Sequence, residues 1–340
     1  MQRRVFTLIS ALGLALVFSS SAALAQYKLT NLVSNQFGQA SHDDPLNVNA
    51  WGLVRAGGSP WWVADNGSGW STLYNGTGVK QGLIVEVPPA PAGAVGSATG
   101  AVFNGSQEFP VQGWASLFLF DTLDGTISGW APQADLHNAI IAVDNSASGV
   151  SYTALAITSK PSGNVLFAAD NANNKVDMYD GGFKLLGSFT DTTVPPGFSV
   201  FGIRDINSMV LVSFANSAGG TGGFIDIFSE DGKFVKRFAQ GLPLNLPWGF
   251  AVAPSNFGPL SNTLLISNNT NTGTIFGFNM ATGRAVGAIT DANGLAIHID
   301  QLWAIDFGGG TPNNGAKNQL FFTAGPHNNL SGTFGSIVFK

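Results

Sequence analysis

Short apolar runs that end on a polar residue recur along the chain roughly every 50 residues. Six such runs occur: WWVAD (61–65), LFLFD (117–121), LFAAD (166–170), VLVSF (210–214), LLISN (264–268) and LFFTA (320–324). Each run is the second of several apolar stretches in its unit: one stretch precedes it and a third follows it. Most units also have a fourth stretch after the third. Asn-Gly, Asp-Gly and Gly-Gly pairs lie between the stretches, as tight hairpins require. The pattern therefore predicts six units of antiparallel strands.

Six units of this length predict an all-β fold, a six-bladed β-propeller of four-stranded blades. The last unit ends after its third strand, GTFGSIVF (332–339), and an unpaired edge there would promote aggregation. The stretch YKLTNLV (27–33) precedes the first unit and has no other partner. We expect this N-terminal strand to complete the last blade and close the ring. The alternative is a pair of β-sandwiches, which the even spacing of the units disfavours.

The first 25 residues are typical of a secretory signal peptide. Arg3 and Arg4 precede an apolar stretch that ends in Ala23-Leu24-Ala25, so we expect cleavage after Ala25 and a single propeller domain over 26–340. No later run of 18 apolar residues predicts a membrane span in the mature chain. The absence of cysteine suits an exported bacterial protein that is stabilised by core burial. The expected location is periplasmic or extracellular.

The net charge and the catalytic motifs of the sequence limit the classes of function that it can have. The formal net charge is −5 and only 10% of residues are charged, so no basic face is available for nucleic acid. The sequence contains no G-x-S-x-G, no H-E-x-x-H, no Walker loop and no G-x-G-x-x-G. No motif therefore identifies an enzyme.

The polar residues that end the second strands predict a ring around one mouth of the propeller channel. In a propeller, the far end of each second strand and the start of each inner strand lie on the same face. The candidate ligand-binding residues at this mouth are Asp65, Asn66, Asp121, Asp170, Asn171, Asn216, Asn268, His298 and His327. Asp and Asn are also favoured in turns because their side chains cap backbone N–H groups, so turn formation is the alternative interpretation.

Carboxylate and amide oxygens gathered in one place suit a hard cation, with Ca²⁺ the candidate ion. The candidate metal ligands are Asp65, Asp121, Asp170, Asn216 and Asn268. Three tryptophans, Trp51, Trp248 and Trp303, occupy matching places on the inner strands, and each precedes Gly or Ala. We expect them to pack between blades, with a sugar-stacking platform as the weaker alternative.

Several strings resemble a family of exported bacterial propeller proteins, some members of which carry PEP-CTERM sorting tails. They are NAWGL, WWVADNGSGWSTLYNG, DGTISGW, LPWGFAVAPSNFG, LWAIDFG and LFFTAGP. The resemblance implies a propeller and export, and no particular activity. More distantly, the architecture is similar to NHL-repeat and gluconolactonase-like six-bladed propellers, in which acid and Asn side chains hold a divalent cation at the channel mouth. That similarity extends to the fold alone.

The sequence favours a monomeric binding or interaction module that takes a small polar ligand, a cation or a protein partner at the channel mouth. The first alternative is a divalent-metal-dependent hydrolase of the lactonase or esterase type. The second is a structural cell-surface protein.

Overall fold

Twenty-seven strands form nearly all of the regular structure in the computed structural model, which describes residues 26–91, 93–216 and 218–340. The predicted signal peptide lies outside the described residues. The chain starts with β1 (Tyr27–Ser34) and β2 (His42–Asp43), followed by blade 1, which contains β3 (Ala50–Val54), β4 (Trp61–Asp65), β5 (Trp70–Tyr74) and β6 (Lys80–Glu86). Blade 2 contains β7 (Ala98–Phe103), a hairpin of β8 (Pro110–Val111) and β9 (Trp114–Ala115), β10 (Phe118–Thr122), β11 (Thr126–Trp130) and β12 (Ile140–Asp144).

The remaining four blades repeat the same order. Blade 3 contains β13 (Tyr152–Thr158), β14 (Val165–Asp170), β15 (Lys175–Asp180) and β16 (Leu185–Phe189). Blade 4 contains β17 (Phe198–Ile206), β18 (Met209–Asn216), β19 (Gly223–Ser229) and β20 (Phe234–Gln240). Blade 5 contains β21 (Pro247–Val252), β22 (Thr263–Asn268), β23 (Ile275–Asn279) and β24 (Ala285–Ala288), and blade 6 contains β25 (Leu302–Phe307), β26 (Gln319–Ala324) and β27 (Thr333–Phe339). Helical turns are short: Ser146–Ser148, Gly258–Leu260 and α1 (Pro326–Asn329).

The first strand closes the ring, as the sequence predicts. Blades 1 to 5 are four-stranded antiparallel sheets, and the sixth sheet has the order β2-β1-β27-β26-β25. Tyr27 pairs with Phe339 at one end of the β1–β27 ladder, and Ser34 pairs with Thr333 at the other. The two-residue β2 lies outside β1 and pairs with it in parallel, so this blade has a fifth strand that the sequence pattern does not indicate.

Apolar side chains are buried mainly between the faces of neighbouring blades. Each sheet has one neighbouring sheet on each of its two faces, because the six blades form a ring. Between blades 1 and 2, Trp62 stacks on Phe118 at 4.1 Å between ring centroids and lies 4.8 Å from Trp130. Val85 and Phe120 belong to the same buried cluster. Such contacts explain why the strands read as nearly continuous apolar runs rather than as alternating ones.

Every inner strand carries a β-bulge at the same level of the channel. In blade 1, Ala50 pairs with Asp65 and Leu53 pairs with Val63, so two residues of β3, Trp51 and Gly52, lie opposite a single residue of β4. The other five inner strands shift register in the same way. The second bulge residue is Gly or Ala in all six, since the next blade approaches closely; a Cβ on Gly52 would collide with the Thr99 carbonyl oxygen.

Candidate functional site

Three indoles close the channel at the end where the inner strands begin. Trp51 stacks on Trp303 at 3.6 Å between ring centroids, and Trp248 meets both rings edge-on at 6.4 and 5.9 Å. All three side chains are buried. The Trp248 indole N–H reaches from blade 5 to blade 3, where it donates to the Thr153 carbonyl oxygen at 3.1 Å. The rings therefore pack between blades, as expected, and also against one another across the axis.

Side-chain hydroxyls at the level of the bulges tie neighbouring blades together. Each donates to a backbone carbonyl of the next blade, and those of blades 4 to 6 also accept the N–H of the small bulge residue in their own blade. The donor–acceptor pairs are Thr99 to Tyr152 (2.9 Å), Thr153 to Phe201 (2.7 Å), Ser213 to Pro247 (2.6 Å), Ser267 to Trp303 (2.6 Å) and Thr323 to Trp51 (2.5 Å). Blade 1 has Ala64 opposite its bulge, so its junction with blade 2 has no such hydroxyl at that position. At this end of the channel, the packed indoles and the hydrogen bonds of the hydroxyls therefore connect the blades to one another.

Asp65 lies at this end and is fully buried. One carboxylate oxygen accepts from the Asn47 side-chain amide at 3.1 Å. The other accepts from the Thr72 hydroxyl at 2.6 Å and from its backbone N–H at 3.2 Å. Burial raises the pKa of Asp65 well above its ordinary value, and these hydrogen bonds oppose that shift. The carboxyl therefore connects the loop before β3 to the neighbouring strand within blade 1.

Asp121 occupies a different place in its blade. It lies opposite the bulge of β7, the position that Ser213, Ser267 and Thr323 take in blades 4, 5 and 6. Its Oδ1 accepts from the Gly100 N–H at 2.5 Å and lies 2.7 Å from the Thr99 hydroxyl oxygen. Its Oδ2 is buried with no hydrogen-bond partner in the described part of the chain. Burial raises the pKa of Asp121 to about 7, which favours the neutral acid in the folded protein.

The other predicted ring residues are bonded locally as well. Asp170 accepts from the Asn173 side-chain amide at 2.7 Å and from two backbone N–H groups, and Lys175 Nζ lies 3.8 Å from it. The amide side chains cap backbone groups or each other: Asn66 accepts from Asn49 (3.0 Å), Asn171 donates to the Val200 carbonyl (2.7 Å), Asn216 accepts from the Ala218 N–H (2.9 Å) and Asn268 accepts from the Asn245 N–H (2.9 Å). Each therefore stabilises a turn or a blade junction.

Register explains why these residues do not form one level. Asp65, Asp170 and Asn268 each pair with the inner-strand residue that directly precedes the bulge. In its own second strand, Asp121 is one residue before the position that makes this pair, and Asn216 is two residues after it. Among the described residues, no group of three or more His, Cys, Asp or Glu side chains is placed to hold a metal ion. Binding of a ligand or of Ca²⁺ by this set stays a prediction.

A cavity of about 200 Å³ occupies the other half of the channel, where the inner strands end. Gly52, Gly100 and Trp248 line its inner part, and four charged side chains line its outer part: Arg55, Arg204, Asp205 and Asp306. The cavity is therefore closed toward the indoles and polar toward solvent.

The charged side chains at this end form a rim across the channel. Arg204 Nη2 of blade 4 lies 2.9 Å from Asp306 Oδ2 of blade 6, so this ion pair passes over the end of blade 5. The Arg55 guanidinium donates to the Phe307 carbonyl oxygen at 2.9 and 3.1 Å and lies over the Trp61 ring. Asp205 forms no ion pair in the described chain, and burial, followed by repulsion from Glu230, raises its pKa to about 6.

Sequence reasoning missed this rim, although a signal is present. Arg204 and Asp306 occupy the same register position of their inner strands, one residue after Ile203 and Ile305, and Arg55 and Asp205 occupy the next position. Charged residues at two adjacent, equivalent places of a repeat in a charge-poor chain indicate a polar end of the channel. His298 and His327, by contrast, line a separate cavity at the side of blade 6.

No protein-family model matches the chain. Among curated proteins, two relatives from Acanthamoeba polyphaga mimivirus span most of it: one is 29% identical over 94% of this chain and 82% of its own length, and another is 28% identical over 94% and 88%. A third mimivirus protein is 32% identical over 58% of this chain and 40% of its own length. All three are described as uncharacterised. Because these relatives are viral, the resemblance to an exported bacterial family stays a prediction.

Solved structures with the same architecture are distant in sequence. A Xanthomonas campestris gluconolactonase superposes with a TM-score of 0.56 at 13% identity and covers 86% of both chains. A streptogramin B lyase gives 0.55 at 11% identity, over 94% of this chain and all of that one. A Bacteroides thetaiotaomicron protein of unknown function gives 0.58 at 10% identity, over 93% and 76%. These likenesses bear out the six-bladed propeller fold and carry no activity to this chain.

Proposed function

We propose that the protein is a binding module that takes a small polar ligand in the open half of its central channel. The observation that carries the proposal is the cavity of about 200 Å³ on the axis, which is lined by Trp248 in its inner part and by four charged side chains in its outer part. Largely preformed concave sites with a few convergent polar groups are the usual form of small-molecule sites. The volume is below the range typical of drug-sized ligands, so it suits a compact ligand.

The charges of the rim indicate the ligand class. Two guanidinium groups and two carboxylates balance each other, which favours a ligand that carries both charges over a simple anion or cation. Arg204 is partly exposed and its pair with Asp306 is of the kind that contributes little to stability, so a ligand carboxylate can replace Asp306 at small cost. Asp205 has no cation within ion-pair distance in the described chain, and Arg204 and Lys160 only partly offset the burial and the repulsion from Glu230 that raise its pKa, so it can receive a ligand ammonium group. We therefore favour a small zwitterion.

A binding panel tests the proposal. The probes are small amino acids from glycine to glutamine, with acetate and methylammonium as the two half-ligands, measured by thermal shift and titration calorimetry. We expect at least one zwitterion to bind and both half-ligands to bind more weakly. Arg204→Met and Asp205→Asn should each reduce affinity at least tenfold, and Ala101→Leu, which fills the cavity, should abolish binding. Arg284→Met removes an exposed arginine of blade 5 and serves as the matched control. Absence of binding by every probe would contradict the proposal.

We also propose that the protein is exported with removal of residues 1–25, which the sequence pattern supports. Within the residues that the structure describes, no helix has the length and apolarity needed to cross a bilayer. Mass spectrometry of the protein recovered from periplasmic and culture fractions tests the proposal, and a mature N-terminus at Gln26 is the expected result. A full-length chain retained in the cytoplasm would refute it.

A further inference from the structure

We infer a second binding site, for a neutral hydroxylated ligand such as a sugar unit, in the side cavity where β1 joins blade 6. The cavity has a volume of about 280 Å³ and lies apart from the central channel, since the two share no lining residue. Its walls come from β1, the loop that follows β1, the segment 298–300 and α1 with the start of β27. The site thus exists only because the N-terminal strand completes the last blade.

Part of the lining of this cavity is apolar. Leu29 of β1 and Ile299 lie beside Ala324 and Pro326, and none of these carries a side-chain polar group. A surface of this kind contacts the C–H groups of a ligand without desolvating a protein polar group. It therefore suits the apolar face of a sugar ring.

The other lining residues present hydrogen-bonding groups, several of which are not used within the protein. The side-chain amides of Gln36 and Gln39 and the hydroxyl of Thr333 have no side-chain hydrogen bond in the described chain, and Asp300 uses only one carboxylate oxygen. Amide and hydroxyl groups can both donate and accept, which matches ligand hydroxyls, because these also do both. Asp300 Oδ1 adds a strong acceptor.

Both histidines of the cavity are held through Nδ1. His298 Nδ1 lies 3.1 Å from the Thr272 carbonyl oxygen, and a carbonyl can only accept, so Nδ1 carries the proton and the neutral ring keeps Nε2 as an acceptor. His327 Nδ1 lies 3.0 Å from the Ser331 hydroxyl. The structure therefore fixes two imidazoles by one nitrogen each and leaves the other nitrogen available to a ligand.

The backbone beside the cavity is strained. His327, Asn328 and Asn329 all have left-handed φ angles, of 59°, 56° and 66°, a conformation that is uncommon for residues other than glycine, although Asn and His adopt it more readily than most. Asp300 Oδ2 holds this turn by accepting from the His327 N–H at 2.8 Å. Strain of this kind is concentrated at ligand clamps and other functional sites. Here it places the His327 ring at the cavity.

The composition of the lining selects the ligand class. No Lys or Arg lines this cavity and Asp300 is its one acidic residue, so an anionic ligand finds no countercharge. Phe37 follows the lining residue Gln36 in the sequence and is 91% exposed, but it is not among the residues that line the cavity. Amides, a carboxylate and apolar lining residues together suit a neutral saccharide, because they can contact both its hydroxyls and its C–H groups.

The test uses the full mature chain on an array of neutral, sialylated and sulfated oligosaccharides, followed by titration with the best-retained sugar. We expect neutral sugars to be retained and the acidic ones to bind at least tenfold more weakly. Asp300→Asn keeps the acceptor for the His327 N–H and removes the charge, and we expect it to weaken binding at least tenfold. His298→Ala should do the same.

Matched variants separate this site from general effects. His137 is also exposed with Nδ1 near a carbonyl, that of Ile84 at 3.4 Å, but lies on the outside of blades 1 and 2, so His137→Ala should leave binding unchanged. Arg204→Met alters only the channel rim and should also leave sugar binding unchanged. The two proposed sites are therefore tested separately, and failure of the channel proposal does not affect the proposal for the side cavity. Retention of no neutral sugar, or equal affinity of the His298→Ala protein with an unchanged melting temperature, would overturn the inference.

Discussion

At the end where the inner strands begin, three indoles fill the channel and hydroxyls bond blade to blade; at the end where the strands stop, a cavity opens between charged side chains. Both ends belong to the same six strands, and the change occurs at the level of the six bulges. Side chains next to the bulges are large or form hydrogen bonds, whereas those two or three residues further on leave space. The comparison indicates that one end stabilises the ring and the other is available for binding.

The two ends also differ in how deeply their acidic side chains are buried. The acids at the closed end, Asp65 and Asp121, are fully buried, and burial raises the pKa of each. At the open end, Asp205 and Asp306 remain partly exposed and Asp306 pairs with Arg204, although burial raises the pKa of Asp205 as well. Functional sites are commonly drawn from regions that contribute less to stability, which fits the open end better than the closed one.

The largest effect should follow from opening the closed end. Trp303→Ala removes a buried ring that contacts Trp51 and Trp248 and leaves the Asn49 acceptor without its indole donor at 3.0 Å. We expect a loss of about 3–5 kcal/mol in the free energy of unfolding, measured by denaturant titration. Trp114→Ala, at a tryptophan that is 52% exposed, is the control and should cost less than about 1 kcal/mol. Similar losses for the two variants would remove the distinction between the ends.

A pH-dependent effect of somewhat smaller size should come from Asp121. Its pKa is raised to about 7 in the folded state, so the neutral acid favours folding at low pH, and this stabilisation is lost as pH rises from about 4 to about 7. Asp121→Ser introduces the residue that blades 4 and 5 carry at this position. Relative to the native chain, its stability should increase by on the order of 2–4 kcal/mol between pH 4 and pH 8.

The control for that experiment is Asp43→Ser, which changes an exposed acid of β2. Its stability difference from the native chain should vary little across the same pH range. A constant difference for Asp121→Ser as well would show that its carboxyl is not held neutral in the folded protein.

At the open end, Arg204→Met should change stability by less than about 1 kcal/mol, because the pair with Asp306 is partly exposed and screened by solvent. The same variant should lose affinity for the zwitterionic probes. A large loss of stability would mean that the rim, like the indoles, holds the ring together, and the comparison would then fail.

The smallest effect should be that of Ca²⁺. The carboxylate oxygens at the closed end already accept hydrogen bonds from their own blades, apart from Asp121 Oδ2. We expect Ca²⁺ to shift the melting temperature of the metal-stripped chain by less than about 1 °C, since stabilisation requires binding to the folded state. A clear upward shift would place a cation among these oxygens, and lactone and ester substrates should then be screened for hydrolysis.

The fold could be predicted because it depends on features that repeat along the sequence. Apolar runs, turn residues and the unpaired stretch 27–33 specify strands, blades and ring closure without any knowledge of side-chain direction. The added strand β2 has no such signal, since its pairing depends on backbone groups and on the path of the loop before it.

The site was harder to predict because it depends on register at the level of single residues. Asp65 and Asp121 both end apolar runs in the sequence, but the bulge places them at non-equivalent positions of their blades. Similarly, each Trp-Gly or Trp-Ala pair is visible in the sequence, whereas the convergence of three rings on the axis follows only from the combined geometry of the blades.

The pairing of β1 with β27 also determines when the molecule can become stable. Almost the whole chain separates the two strands, so β1 is synthesised first and must wait until residues 333–339 exist before it gains a partner. Contacts of such long sequence separation slow folding, because the loop-closure entropy opposes them before they form. A chain that ends before residue 333 would lack β27, so β1 and β26 would each have an unpaired edge exposed to proteases. Ring closure thereby distinguishes complete chains from defective ones.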